Sequence, residues 1–423
     1  MQYKRMPIEV ESPEQMGYDK IRYNLSESSY TDAWFKNLDI AADLHQLLLA
    51  YGPHAGHEGI RELIARENTR FHADPRPFPH PGPDPNSGPD TGRNTRLDID
   101  IDQLLVPNAT SPGHSINPVP LASDDILLTI GAAGGLFIIS TTLLERGDEM
   151  IVIRPNYATN IETPKAIGAS IKYVDLVFEE DFALDVKKIK SLLTKNTKFI
   201  SVTYPHNPTG ACLSERELKD LITLAEQYNT RLLVDETYRD MNFGEQLPLA
   251  ATWSPHVISI SSLSKTYGLP GIRVGWIVCR DRRLMETFLA AKEQIHICGS
   301  ILDEEVAFRY LQHKQRHLRH IQNDIRNKFD LIKEWIGQQE DFEWIEPKGG
   351  CVCFPRICRP GKIDMDKFYA TLLQKYGTYT GPGHWFDMPR HYMRIGFGWP
   401  TISQLQKGLE GLSQCIRDEA VRR

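Results

Sequence analysis

Between residues 123 and 295 short apolar runs alternate with amphipathic stretches, and this alternation limits the fold more tightly than any other property of the chain. The runs at 127–130, 150–153, 199–202 and 232–234 are short and end in turn-forming or polar residues, so they read as strands. Residues 214–228 carry apolar side chains at helical spacing. Strands and helices in alternation give an α/β fold, a mostly parallel sheet covered by helices. Open sheets of that kind bind ligands outside the carboxyl ends of their strands. The residues that follow each run are therefore the ones to examine for chemistry.

The segment Ser262-Leu-Ser-Lys265-Thr-Tyr-Gly-Leu-Pro-Gly-Ile-Arg273 places a lysine in a small-residue turn, with hydroxyls before it and an arginine eight residues on. That arrangement suits an amine that condenses with a phosphorylated aldehyde, the chemistry of pyridoxal 5'-phosphate. A partly desolvated lysine is a neutral nucleophile, while Ser262 and Arg273 can supply hydroxyl and guanidinium contacts to a phosphate. A solvated loop is the other reading of this segment alone, but further segments supply complementary parts. The run 199–202 leads to Tyr204-Pro-His-Asn207-Pro208-Thr209-Gly210, turn chemistry that presents the Asn207 amide to a cleft. The run 232–234 ends in Asp235-Glu-Thr-Tyr238. A carboxylate beside a pyridine nitrogen keeps it protonated and makes the ring an electron sink. Tyr238 can reach the cofactor's phenolic oxygen and, with Asn207, hold it as an anion. The run 127–130 continues into Gly131-Ala132-Ala133-Gly-Gly, where backbone N–H groups and a helix N-terminus can approach a phosphate, although such turns also serve packing alone. Pro155-Asn-Tyr157 follows the run 150–153, so the Tyr157 ring either stacks on the pyridine face or caps the core.

Asn207-Pro-Thr-Gly, Asp235-x-x-Tyr238 and Ser-x-x-Lys265 with Arg273 downstream resemble the motifs of fold type I pyridoxal-phosphate enzymes of the class I/II aminotransferase family. The resemblance runs from about residue 24 to the C-terminal helix. Tyr51-Gly-Pro-His-Ala-Gly-His-Glu-Gly-Ile-Arg61 and Tyr392-Met-Arg394-Ile-Gly-Phe-Gly are similar to two further segments of that family. It implies a large cofactor-binding domain over 51–300, with a mostly parallel seven-stranded sheet flanked by helices. A smaller α+β domain would span 301–423, joined to an N-terminal arm over 1–50. Lys265 would hold the cofactor aldehyde as an imine and shuttle the proton from substrate Cα. Asp235 would pair with the pyridine nitrogen, and Asn207 and Tyr238 with the phenolic oxygen. The phosphate would meet Gly131, Ala132, Ala133, Ser262, Arg273 and Tyr51 of the partner subunit, while Tyr157 stacks on the ring. Arg394 would grip the substrate α-carboxylate by a two-pronged contact, with Asn207 beside it. The implied reaction moves an amino group between an L-amino acid and a 2-oxo acid, in a homodimer with its active site at the subunit interface. Lyase, cyclase or oxidase chemistry on the same scaffold stays open, because side-chain placement decides which Cα bond breaks.

Composition agrees with this class. The 423 residues, 41% hydrophobic and 25% charged, can bury a sizeable core in more than one structural unit. A net charge of −6 offers no basic field for nucleic acid. No apolar segment has the length of a membrane span or the form of a signal peptide, which points to a cytoplasmic protein. The seven cysteines are odd in number and scattered, as reduced thiols are. Cys351-x-Cys353 and Cys358 lack a Cys/His partner set for a metal, and their segment alternates like a strand.

A helical stretch over 301–338 should lead to strands near 342–345, 352–354 and 393, with a helix at 365–376 between them. A proline-rich insertion occupies 72–120, where Asp74-Pro-Arg-Pro-Phe-Pro-His-Pro favours extended structure. It either covers the site mouth or the partner subunit, or makes a solvated excursion. His296 stands roughly where relatives that use acidic substrates carry an arginine, which argues against aspartate as substrate; a helix-end histidine without a ligand is the alternative. Glu27 falls in the segment that closes over substrate in the family. It would meet a cationic side chain there or remain an exposed loop glutamate.

Overall fold

The structure, a computed structural model, describes residues 3–38, 44–70, 117–157 and 159–421. Most of the proline-rich insertion lies outside the described residues. After an N-terminal strand β1 (Tyr23–Leu25) come the seven strands of the main sheet: β2 (Ile126–Ile130), β3 (Glu149–Arg154), β4 (Ser170–Asp175), β5 (Thr197–Thr203), β6 (Arg231–Asp235), β7 (Val257–Ser262) and β8 (Val274–Cys279). Their order is β2-β8-β7-β6-β5-β3-β4. β8 runs antiparallel to both its neighbours and the other adjacent pairs are parallel, so the expected seven-stranded, mostly parallel sheet is present.

The strands read as unbroken apolar runs because both faces of the sheet are covered. Along β6, Leu232 and Val234 pack into one apolar cluster and Leu233 into the other. In β8, Trp276 and Val278 face one way, Ile277 and Cys279 the other. The helices Gly131–Leu143 and Arg282–His296 supply Leu136, Ile139 and Phe288 to the second cluster. The expected helix after β5 spans Glu215–Gln227, entered through Ser214. There the Glu217 N–H donates to Ser214 Oγ at 3.2 Å and the Ser214 N–H to Glu217 Oε2 at 2.7 Å, closing both ends of the first turn.

The helical stretch expected over 301–338 is two helices, Ile301–Gln312 and Lys314–Gly337, separated at His313. Its sequence holds no glycine or proline at that point. The cause is tertiary: Lys314 turns inward, with Nζ 2.6 Å from Glu67 and 2.9 Å from Asp240.

Beyond these helices lie β9 (Phe342–Glu343), β10 (Val352–Cys353), β11 (Arg356–Ile357), β12 (Thr378–Pro382) and β13 (Met393–Gly396). β1, β12, β13 and β10 form a second sheet in that order, and β9 pairs with β11. β1 lies parallel to β12, with Tyr23 opposite Thr378, so the N-terminal segment is built into the same layer as the end of the chain. β9 and β10 are shorter than their apolar runs, because Lys348 and Gly349 are drawn toward Gly210 and Asn242 of the main-sheet loops.

Candidate active site

β2, β3, β5, β6 and β7 point the same way, so the loops after them gather at one edge of the sheet. The antiparallel β8 starts at that edge and brings Arg273 back beside Ser262, where the Leu263 N–H donates to the Val274 carbonyl at 3.0 Å. Asp235, the last residue of β6, is 8% exposed. Its Oδ1 accepts the Thr237 N–H at 3.1 Å and the Thr237 hydroxyl at 2.6 Å. Burial pushes this carboxyl up, opposed by the Thr237 bonds and by the charge of nearby Lys265. The Thr266 hydroxyl donates to the Thr237 carbonyl at 2.8 Å and fastens the lysine loop to the loop after β6. The Lys265 amine makes no hydrogen bond or ion pair among the described residues. Burial draws its ammonium below the ordinary lysine range, Glu27 opposes this and Arg394 adds to it.

The helix Gly131–Leu143 opens directly after β2 with no side-chain cap, so the N–H groups that follow Gly131 in its first turn are not taken up by a capping side chain at this edge. Gly131 takes a left-handed φ of 64°, donates its N–H to the Arg273 carbonyl at 2.9 Å, and would overlap the Arg273 guanidinium if it carried a Cβ. A Cβ on Gly275 would stand 2.7 Å from the Ala132 nitrogen. Arg273 is held by Nη1 bonds to Ser264 Oγ at 3.1 Å and the Pro270 carbonyl at 2.8 Å. Ser262 is buried, and its hydroxyl accepts the Ser264 N–H at 3.3 Å.

Asn207 and Arg394 come together from different sheets. The Arg394 Nη1 donates to Asn207 Oδ1 at 3.2 Å, and Nη2 donates to the Ser26 carbonyl. Arg394 is 4% exposed, its guanidinium sits 5.0 Å from the Phe386 ring centre and 5.9 Å from that of Trp385, and its Nε has no partner. Next to Asn207, His206 is buried; its ring bridges the Thr209 hydroxyl at 2.7 Å and the Pro155 carbonyl at 2.8 Å. That bridge ties the Asn207 turn to the loop bearing Tyr157. Burial lowers His206 to about 4, so it is neutral. Tyr157 is half-buried, with its hydroxyl raised by burial.

The N-terminal strip crosses this edge. The Ser26 carbonyl is held by Arg394, the Ser28 carbonyl accepts the Tyr238 hydroxyl at 2.8 Å, and the Tyr30 N–H donates to the Lys265 carbonyl at 2.8 Å. Tyr238 is thus buried at the site, with its hydroxyl donating to the Ser28 carbonyl. Glu27 is not an exposed loop glutamate. It is half-buried within the strip, and its carboxyl is raised by burial against the pull of Lys265 and Arg394. Thr237, His206 and Ser264 were not singled out from sequence. Only Thr237 carried a signal, a hydroxyl two residues after an acid at a strand end.

Tyr51 is the expected residue that this chain does not bring to the edge: it is 82% exposed and makes no hydrogen bond among the described residues. His296 ends the helix Arg282–His296, and neither ring nitrogen has a partner. Among the described residues no three His, Cys, Asp or Glu side chains gather as a metal site. No helix among them is long and apolar enough to cross a membrane.

Residues 107–412 match the family of class I and II aminotransferases. The chain belongs to that family. It is 29% identical to capreomycidine synthase of Streptomyces vinaceus over 74% of this chain and 82% of that protein. It is 26% identical to an aspartate aminotransferase of Pyrococcus horikoshii over 69% of this chain and 77% of that one. A crystal structure of a PLP-dependent aminotransferase from Streptococcus suis superimposes with a TM-score of 0.80 at 25% identity, covering 99% of each chain. The fold is that of the fold type I enzymes, and the family's cofactor is pyridoxal 5'-phosphate.

The residues at the sheet edge fit that cofactor. An aldehyde needs an unengaged amine, which Lys265 has. A phosphate needs N–H donors and a fixed cation in a crevice without side chains, which Gly131, Gly275, the uncapped helix start and Arg273 provide. A protonated ring nitrogen needs a buried carboxylate, and such a charge would relieve the desolvation that now raises Asp235.

Proposed function

We propose that this enzyme transfers an amino group between an L-amino acid and a 2-oxo acid. The observation that carries the proposal is the gathering, at one sheet edge, of an unengaged Lys265 amine, the buried Asp235 carboxylate and the Arg394–Asn207 pair. Bound there, pyridoxal 5'-phosphate would act as the electron sink for a substrate whose Cα has lost a proton. The protein would do the rest. Asp235, oriented by Thr237, would hold the ring nitrogen. Gly131, Ala132, Ala133, Ser262 and Arg273 would hold the phosphate, Tyr157 would face the ring, and Asn207 with Tyr238 would face the phenolic oxygen. Arg394 would exchange one of its present oxygen partners for the substrate α-carboxylate, and its unpartnered Nε gives it a donor to spare. Lys265, its ammonium disfavoured by burial and by Arg394, would be the base that takes the Cα proton and returns it.

A homodimer is part of this reading. The bare Tyr51 ring suits a contact made across a subunit interface, with the phosphate of the neighbouring site. Sedimentation of a fully active monomer would remove it.

A second reading has one specific observation in its favour: a relative sharing most of the chain is named a synthase rather than an aminotransferase. That reading is a lyase or cyclase on the same site. Mixing the holoenzyme with single amino acids and no 2-oxo acid separates the two. Transamination converts the cofactor to its pyridoxamine form and releases one equivalent of 2-oxo acid. Retention of the aldehyde form with release of ammonia, or with a cyclised product, selects the second reading.

A further inference from the structure

We infer that Glu27 is the specificity-determining carboxylate of the site, selecting amino acids whose side chain carries an ammonium or guanidinium group. The inference rests on the reading of Arg394 as the grip on the α-carboxylate, and it names the substrate class for that grip. Glu27 is the one carboxylate between Tyr23 and Thr31. Its backbone has nowhere to retreat: Arg394 holds the carbonyl before it, Tyr238 holds the carbonyl after it, and a Cβ on Gly396 would overlap its own carbonyl. The backbone that carries Glu27 is therefore fixed against the strand of Arg394, whose buried Nε has no partner.

Charge balance then decides what Glu27 wants. Its hydrogen bond is from the Tyr18 hydroxyl at 3.1 Å, and the cations acting on it are Lys265 and Arg394. Substrate takes both away, because Arg394 turns to the α-carboxylate and Lys265 works as a neutral amine. Glu14 also acts on Glu27, and Asp32 acts on its partner Tyr18; both are acids. A bound amino acid with a neutral side chain leaves a half-buried carboxylate unpaired, and an acidic one adds repulsion. A cationic side chain restores the balance. Cations recruited in this way discriminate by about 10- to 150-fold, the range of a hydrogen bond to a charged partner.

The test uses the holoenzyme with one acceptor and a panel of lysine, ornithine, arginine, norleucine, glutamine, citrulline and glutamate, reading kcat/KM. Dissociation constants for the same panel are measured by calorimetry on Lys265→Ala protein reconstituted with cofactor. The expected result is a preference for the cationic members over their neutral counterparts of about 10- to 150-fold in both readouts. Glu27→Gln should collapse that ratio toward one, and Glu27→Lys should turn it toward glutamate. A wild-type ratio near one overturns the inference. So does a Glu27→Gln variant that lowers kcat/KM by the same factor for every class, which would make Glu27 a positioning residue for Lys265. If the variants misfold, the wild-type ratios decide alone. Absence of turnover with every amino acid, while the calorimetric preference persists, would instead sink the transamination reading and leave the role of Glu27 standing.

Discussion

Replacing Thr237 by valine keeps the shape of the side chain and removes one atom that Asp235 depends on. The Thr237 hydroxyl donates to Asp235 Oδ1 at 2.6 Å, the shorter of the two Thr237 bonds to that oxygen, and Asp235 is buried, so bulk water is a poor substitute for it. A hydrogen bond to a charged acceptor contributes roughly 1.5–3 kcal/mol. Its loss falls on the ionised form alone and raises further a carboxyl that burial has already raised. If the ionised Asp235 holds the ring nitrogen, the same energy appears as weaker cofactor binding, about 10- to 150-fold. The assay is titration of cofactor-free wild type and Thr237→Val with pyridoxal 5'-phosphate, followed by absorbance at pH 6 and pH 8. The defect should be larger at pH 6, where more of the variant carboxyl is protonated. Unchanged affinity at both pH values, in a variant whose unfolding midpoint matches wild type, would refute the chain of reasoning from Thr237 through Asp235 to the ring.

Three further outcomes follow from single contacts. Arg394→Lys removes the fork that reaches Asn207 and Ser26 together and should lower kcat/KM by about 100-fold or more, mostly through KM, in steady-state assays with the preferred amino acid. Gly131→Ala must hold alanine at a φ of 64° and push aside the Arg273 guanidinium, so cofactor affinity should fall about 10-fold or more by the same absorbance titration. His206 is neutral in the fold, with its value lowered from 6.5 to about 4. The unfolded chain therefore takes up the extra proton as pH falls through 6.5, and stability drops between there and 4. The His206→Gln variant should lack about 2 kcal/mol of the loss that wild type shows between pH 7.5 and pH 5 in urea unfolding.

Much of the main sheet was readable because strands buried on both faces are continuous apolar runs, and the polar residue that ends each run is the one at the ligand edge. Asp235 ends β6 where that rule puts it, and Lys265 lies three residues past the end of β7. The burial of Glu27 was not readable: Asn24-Leu-Ser-Glu27-Ser-Ser looks like a polar loop, and the burial arises from pairing of β1 with β12, more than 350 residues away by the Tyr23–Thr378 register. The ties made by His206 share that character, since its partner Pro155 lies 51 residues earlier. The break at His313 escaped local pattern for the same reason. Its cause is a buried lysine satisfied by acids from two other parts of the chain. Tyr238 shows the limit of a motif, which gave the side chain and its burial but not the Ser28 carbonyl that its hydroxyl meets.

The central claim concerns one amine. Treating the holoenzyme with borohydride fixes a bound aldehyde cofactor to the nitrogen that carries it, and peptide mass spectrometry then reads the position. A pyridoxyl mass on the peptide containing Lys265, absent from Lys265→Ala protein treated alike, is the expected result. A label on another lysine, or no label on protein that binds the cofactor and turns over amino acids, would contradict it.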